Sequence, residues 1–400
     1  MTESKVNIPG NTEEAKLPRR DWVVLPMLSL LTIFFMVGCT ELIARRTFAY
    51  SNTGLKDCTV FNDPSTGPRG IPNCVCWEKG YEYQPIEYRL NSRGYRADME
   101  FGPKRPGTYR IVMVGSSIAM GFGVEREKTF AALLPGELSS RTGRRVELFN
   151  ESFAGGSGVA VHLNEALAFK PDLILWILAP WDIEQGVGTV QHVQKSDRNV
   201  PFARRVWGRI KPLFAGKSFT GAIEETFDLT RTSLLLRHFL FESQSQYVKY
   251  YLMSDDKEAG FLKIKPSEEW EERLRQFSVV VTENEAKAHT AGVPLVAAFV
   301  PNRALAAMIS MGEWPIGYNP YKLADEMGSI ITSRGGIYVD TLPGFGRIPN
   351  PEQYYLPVDG HPDAGGQAIL ANLLAKELTS GAVPALRVAA QSQLAQAQER

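Results

Sequence analysis

In TYRIVMVGSS (residues 108–117), a seven-residue run rich in β-formers leads straight into a glycine and two serines. So short a continuous apolar run, bounded by Pro106-Gly107 and Gly115, suits a strand buried on both faces of a sheet. Two similar runs follow, VELFN (146–150) and DLILWIL (172–178), each spaced to leave room for a helix. VPLVAAFV (293–300) and GIYVD (336–340) come late in the chain. Strands alternating with helical segments predict an α/β fold, a parallel sheet with crossover helices. The helices are legible too. After the cap residue Ser267, apolar side chains recur at Trp270, Leu274, Phe277, Val281 and Ala288, and Gly292 ends the run. Ile369, Leu370, Leu373, Leu374 and Leu378 form one face that stops at Gly381. These stripes read as core packing rather than as a cofactor site.

Outward from that core, five segments have a different texture. Residues 45–107 form a lead-in, and from 51 on they are rich in Gly, Pro, Asn and Tyr, as irregular or short-stranded chain is. Residues 185–262 interrupt the α/β pattern as a long, partly helical insertion, able to cover a site or dock an envelope protein complex. Residues 383–400 read as a surface helix or a disordered end. At the other terminus, residues 1–21 read as a polar cytoplasmic tail before WVVLPMLSLLTIFFMVGCT (22–40), which carries no charge. At 1.5 Å per residue this run spans roughly 29 Å, close to a bilayer core, and it is apolar all round rather than amphipathic. We expect a transmembrane signal anchor over 22–44. Two alternatives compete with it. Met36-Val37-Gly38-Cys39 resembles a lipobox, which would lipidate Cys39, and Arg19-Arg20 is similar to a twin-arginine signal. The long acidic stretch before the apolar run disfavours the lipobox. The expected location is the inner membrane, single-pass, with the main domain extracytoplasmic (periplasmic). An oxidising compartment suits a disulfide from Cys58 to Cys74 or Cys76, since Cys74 and Cys76 stand too close in sequence to bridge easily.

Composition narrows the function. Lys plus Arg and Asp plus Glu balance at 44 each, leaving no basic excess for nucleic acid. A hydrophobic fraction of 44% supplies enough core to exclude a disordered chain. No His, Cys and carboxylate group has metal-ligand spacing, and neither a Walker loop nor a dinucleotide fingerprint occupies the first βα turn. Ligands of an open parallel sheet bind beyond the carboxyl ends of its strands. Those ends here carry Gly115-Ser116-Ser117, then Asn150 to Gly158 with Gly155 among its glycines, then Ala179-Pro180-Trp181-Asp182. Asp359-Gly360-His361-Pro362 stands just before the last helix. A serine on a tight strand-to-helix turn can meet a histidine that takes its proton, with a carboxylate fixing the tautomer. Backbone N–H groups at Ser117 and in the glycine loop suit an oxyanion. His162, on the helix after that loop, is the runner-up base. His192, His238 and His289 fall in the insertion or on helix surfaces.

This arrangement resembles the SGNH (GDSL-type) hydrolase family, specifically its membrane-anchored bacterial members, over roughly residues 90–380 without the insertion. Asn91-Ser92-Arg93-Gly94-Tyr95-Arg96 is similar to that family's Asn-x-x-Gly-Phe-Arg lead-in, and Gly115-Ser116-Ser117 takes the place of Gly-Asp-Ser. The resemblance implies a flavodoxin-like three-layer α/β/α sandwich without a metal or organic cofactor. It makes Ser117 the nucleophile, His361 the base and Asp359 its orienting acid. Gly155 falls where the family donates an oxyanion N–H. Trp181 stands where Gly-x-Asn-Asp would place an oxyanion asparagine, and indole offers only one donor. Asp182 reads as structural. The implied activity is a serine esterase on O-acyl, chiefly O-acetyl, esters of small molecules or cell-envelope carbohydrate. Alternatives are an O-acyltransferase of exopolysaccharide and a catalytically silent glycan-binding or scaffold member.

Overall fold

The computed structural model describes residues 18, 20–49, 51, 53–63, 67–155, 159–184, 230–253 and 259–388. The expected tail over 1–21 therefore lies largely outside the described residues, as do 185–229 of the insertion, with His192, and the last twelve residues. Helix α1 (Asp21–Thr47) is long and apolar enough to cross a membrane. It outlasts the apolar run because its last turns pack against protein: Ala44 and Phe48 are buried.

Two hairpins make up the lead-in. β1 (Thr59–Asp63) pairs with β2 (Gly67–Gly70), and β3 (Val75–Glu78) with β4 (Ile86–Arg89), both antiparallel. Hairpins this short are marginal alone; Leu55, Ile86, Tyr88 and Leu90 are buried together with Met120 and Phe153 of the main domain, and a disulfide joins Cys58 to Cys74 across the hairpins. Cys76 remains a thiol, pushed up to about 11 by burial and by the charges of Glu78 and Asp57.

The central sheet holds β5 (Thr108–Val114), β6 (Arg145–Asn150), β7 (Leu173–Leu178), β8 (Leu295–Phe299) and β9 (Ile337–Asp340). Its spatial order is β6-β5-β7-β8-β9, and every pair is parallel. Counted within the sheet this is 2-1-3-4-5, the flavodoxin-like order. Alternation of side chains divides each strand between two cores. Val112, Val114, Ile174 and Trp176 face one, and Ile111, Met113, Leu173 and Leu175 face the other.

Helices cover both faces. α2 (Ser117–Met120) is a single turn, followed by α3 (Phe130–Thr142), α4 (Val159–Ala168) and the short α5 (Pro180–Glu184). The described part of the insertion supplies α6 (Arg231–Leu240) and α7 (Gln244–Met253). Then come α8 (Glu268–Thr290), α9 (Arg303–Met311), α10 (Lys322–Thr332), α11 (Leu342–Phe345) and α12 (Ala364–Glu377). Phe130, Leu134, Leu370 and Leu374 of α3 and α12 fill the second core, while α4, α8, α9 and α10 close the first. The result is three layers, α/β/α. The cap expected at Ser267 accepts the Trp270 N–H at 3.4 Å, and three glutamates in that helix's first turn suit its positive end.

α6 runs beside the end of α1. The Glu41 carboxylate accepts the N–H groups of Arg231 and Thr232 at 3.2 and 2.9 Å, capping α6. Seven residues further along each helix, the Phe48 and His238 rings meet edge to face at 5.5 Å. Equal steps from one contact to the next make the two helices parallel neighbours.

Candidate active site

Ser117 opens α2 directly after β5, on a turn that leaves no room for a larger residue before it. A Cβ at Gly115 would lie 2.7 Å from the Ala119 Cβ and 3.1 Å from the Ile177 carbonyl oxygen. The turn is held from three sides. Asn150, ending β6, donates to the Ala119 carbonyl at 2.9 Å. Gln367 of α12 accepts the Phe130 N–H at 2.8 Å. The buried Arg96 guanidinium donates to the carbonyls of Gly121 and Val124 at 2.6 and 2.7 Å, with its plane 4.4 Å from the Tyr88 ring centre. The Asn91-to-Arg96 segment thus clasps the chain just past Ser117. Asn91 shapes that segment by accepting the N–H groups of Arg93 and Tyr95.

A second turn carries the histidine. Its ends are tied by the His361 carbonyl, which accepts the Leu356 N–H at 2.8 Å, and by the Gly360 N–H donating to the Leu356 carbonyl at 2.9 Å. Gly360 has φ +83°, a left-handed conformation suited to glycine. The result is a continuous row. Ser117 Oγ lies 2.7 Å from His361 Nε2, and His361 Nδ1 lies 2.6 Å from Asp359 Oδ1. Burial works to raise the Asp359 carboxyl, but hydrogen bonds and charge from His361 outweigh it and hold it below the ordinary carboxylate value.

Two buried ionic side chains brace this turn from opposite sides, and neither stands out in the sequence. Glu82 accepts the Val358 N–H at 3.0 Å and the Asp359 N–H at 2.9 Å, and it meets His238 Nδ1 at 3.0 Å. Arg303 donates to the Pro357 carbonyl, to the Glu352 carbonyl at 3.3 Å and to the Phe241 carbonyl at 2.5 Å.

The His361 ring is flanked by aromatics. Phe122 lies 5.0 Å away and Trp181 5.1 Å, both tilted by about 50°. Phe122 does not stand out in the sequence either, although Gly121 and Gly123 bracket it just after Ser117. Asp182 behaves as a structural residue: it accepts the Ala179 N–H at 2.7 Å, as a first-turn acid reaching back does, and a hydrogen bond from Ser116. Burial pushes its carboxyl up to about 6 against those bonds. Ser116 thereby links the first strand end to the third. Gly155 has φ +73° in the loop after β6 and lies against Pro68 of β2. Among the described residues, neither the Ser117 nor the Gly155 amide has an acceptor.

His162 stands apart from the row. It is buried, its Nδ1 lies 3.2 Å from the Tyr95 hydroxyl, and burial holds it below its ordinary value. His238 belongs to the brace through Glu82, and His289 sits on α8. Among the described residues no cluster of His, Cys, Asp and Glu is able to hold a metal ion.

No family model and no curated protein matches the chain. Among solved structures, TesA is similar at 14% identity and a TM-score of 0.35, covering 68% of this chain and 98% of that one. Two variants of Axe2, an acetylxylan esterase from Geobacillus stearothermophilus, are similar at 12% identity with TM-scores of 0.37 and 0.36. Each covers 70% of this chain and 96% of its own. Similarity at that level carries no information on activity or substrate.

Proposed function

We propose that the protein is a serine esterase acting on O-acyl esters, with Ser117 as nucleophile, His361 as general base and Asp359 as its orienting acid. One observation carries this reading: an alcohol, an imidazole and a carboxylate stand in unbroken hydrogen-bond contact at 2.7 and 2.6 Å. His361 Nε2 takes the Ser117 proton as Oγ attacks the acyl carbonyl. The amides of Ser117 and Gly155 hold the oxyanion, and Trp181 bounds the acyl pocket. The tetrahedral intermediate collapses as the alcohol leaves with the proton that His361 returns. Water, deprotonated by the same imidazole, then attacks the acyl-serine and releases the acid. The hydrogen-bonded row coexists with Trp181, which favours turnover over a silent binding role.

The substrate in this reading is an acylated carbohydrate of the cell envelope, and the domain stands outside the cytoplasm, anchored by α1. The Cys58–Cys74 disulfide supports that side of the membrane, because such bonds persist in oxidising compartments. Incubation with a serine-directed fluorophosphonate tests the chemistry. The wild-type chain is expected to label and to hydrolyse a chromogenic acetyl ester, and Ser117→Ala to do neither. Labelling that survives Ser117→Ala, or none in wild type, would overturn the assignment.

A further inference from the structure

We infer that Glu82 is a positioning residue for this site: it fixes the backbone from which Asp359 orients His361, and it is itself held by helix α6. The inference rests on the esterase reading above. Glu82 lies in the lead-in, 277 positions before the aspartate it serves, and its side chain is 2% exposed. A carboxylate enclosed to that degree needs several donors to offset lost hydration. Here they are two consecutive N–H groups of one turn and an imidazole. The N–H groups of Val358 and Asp359 belong to successive peptide units and point at the same carboxylate, so neither unit, the second of which sets the direction of the Asp359 side chain, can rotate without breaking a bond to Glu82.

Arg303 alone does not secure that peptide. Its guanidinium bonds the Pro357 carbonyl, in the peptide unit that carries the Val358 N–H, and leaves the next unit, with the Asp359 N–H, to Glu82. Two further described residues near the acid are uncharged at neutral pH, and one of them, Tyr83, donates its hydroxyl to the Glu78 carboxylate at 2.8 Å. Tyr83 and Tyr88 both face Asp359, and burial pushes Tyr88 up to about 12 and Tyr83 higher still. Phe122 and Trp181 cover the imidazole. On its other side Glu82 meets His238, whose ring touches Phe48 at the end of α1. Thus the acid's orientation is referred, through one carboxylate, to the packing of α6 on the N-terminal helix.

The test uses the full chain in detergent and reads the pseudo-first-order rate constant of fluorophosphonate labelling at Ser117 across pH. A rate constant reports each competent molecule, so a partly unfolded sample lowers amplitude but not the constant. Glu82→Gln is expected to slow labelling about 10²-fold, the cost of a misplacement near 1 Å. It is also expected to move the acid limb to lower pH, because a loosened Asp359 stabilises the His361 imidazolium less. Glu82→Asp separates placement from charge. It keeps the charge but falls one methylene short of the two N–H groups, so it too is expected to slow labelling, by about tenfold. Wild-type rates and an unmoved limb in Glu82→Gln would overturn the inference. So would wild-type behaviour of Glu82→Asp beside a Glu82→Gln whose limb alone shifts, since that assigns Glu82 a field effect only. A wild-type chain that does not label at all would instead refute the esterase reading.

Discussion

Two histidine clusters lie near the carboxyl end of the sheet, one half-buried around His361 and one buried around His162, and they differ in how completely their polar atoms are satisfied. Around His361 each participating atom meets another: hydroxyl to ring, ring to carboxylate, carboxylate backbone to Glu82. Around His162 satisfaction is partial: Nδ1 meets the Tyr95 hydroxyl at 3.2 Å, and that hydroxyl donates to Glu165 at 3.0 Å. His162 Nε2, Ser152 Oγ and both Glu151 carboxylate oxygens are buried with no hydrogen-bond partner among the described residues. Burial, with the Glu165 charge adding to it, pushes Glu151 up to about 9. Both clusters hold a histidine, carboxylates and a hydroxyl. Both contain a hydrogen-bonded row, but only the first leaves none of its polar atoms over, whereas the second strands Glu151, Ser152 and one ring nitrogen of His162.

The contrast breaks or holds most sharply at the two rings. His361→Ala is expected to lower ester turnover by about 10⁴-fold or more, whereas His162→Phe leaves it within about threefold. Comparable losses in both would merge the clusters into one site. Steady-state hydrolysis on the purified chains decides it. One step smaller is the pair of acids. Asp359→Asn, which offers the ring a donor where it needs an acceptor, is expected to cost about 10³-fold, and Glu165→Gln nearly nothing.

The smallest effect sharpens the other half of the comparison through stability. Glu151 has a raised value in the fold, so the unfolded chain loses its proton near pH 4 while the native chain keeps it until about 9. Its contribution is therefore fullest below pH 4 and declines as pH rises through that window, by about 1.4 kcal/mol per unit. Glu151→Gln is expected to gain on the order of 3 kcal/mol at pH 7 and almost nothing at pH 4.5, read from denaturant midpoints. An equal gain at both values would show that protonation is not what the site resists.

Much of the α/β framework was legible because apolar runs and punctuating glycines are local signals. The strands near 108–114, 146–150 and 173–178 fall within a residue or two of their expected ends. Ser117, His361 and Asp359 could be nominated because they follow strand ends or precede a helix. Glu82 and Arg303 could not, since nothing near either residue announces the distant backbone it holds. The parallel packing of α6 on α1 was equally hidden, because 183 residues separate the end of one helix from the start of the other and the decisive contact is a single side-chain cap at Glu41.

That cap and the Phe48–His238 contact together leave the junction without a swivel. Two touching points a full two turns apart define a splint, not a tether. The row of Ser117, His361 and Asp359 therefore keeps one azimuth and one elevation relative to the N-terminal rod, rather than riding on a roaming head.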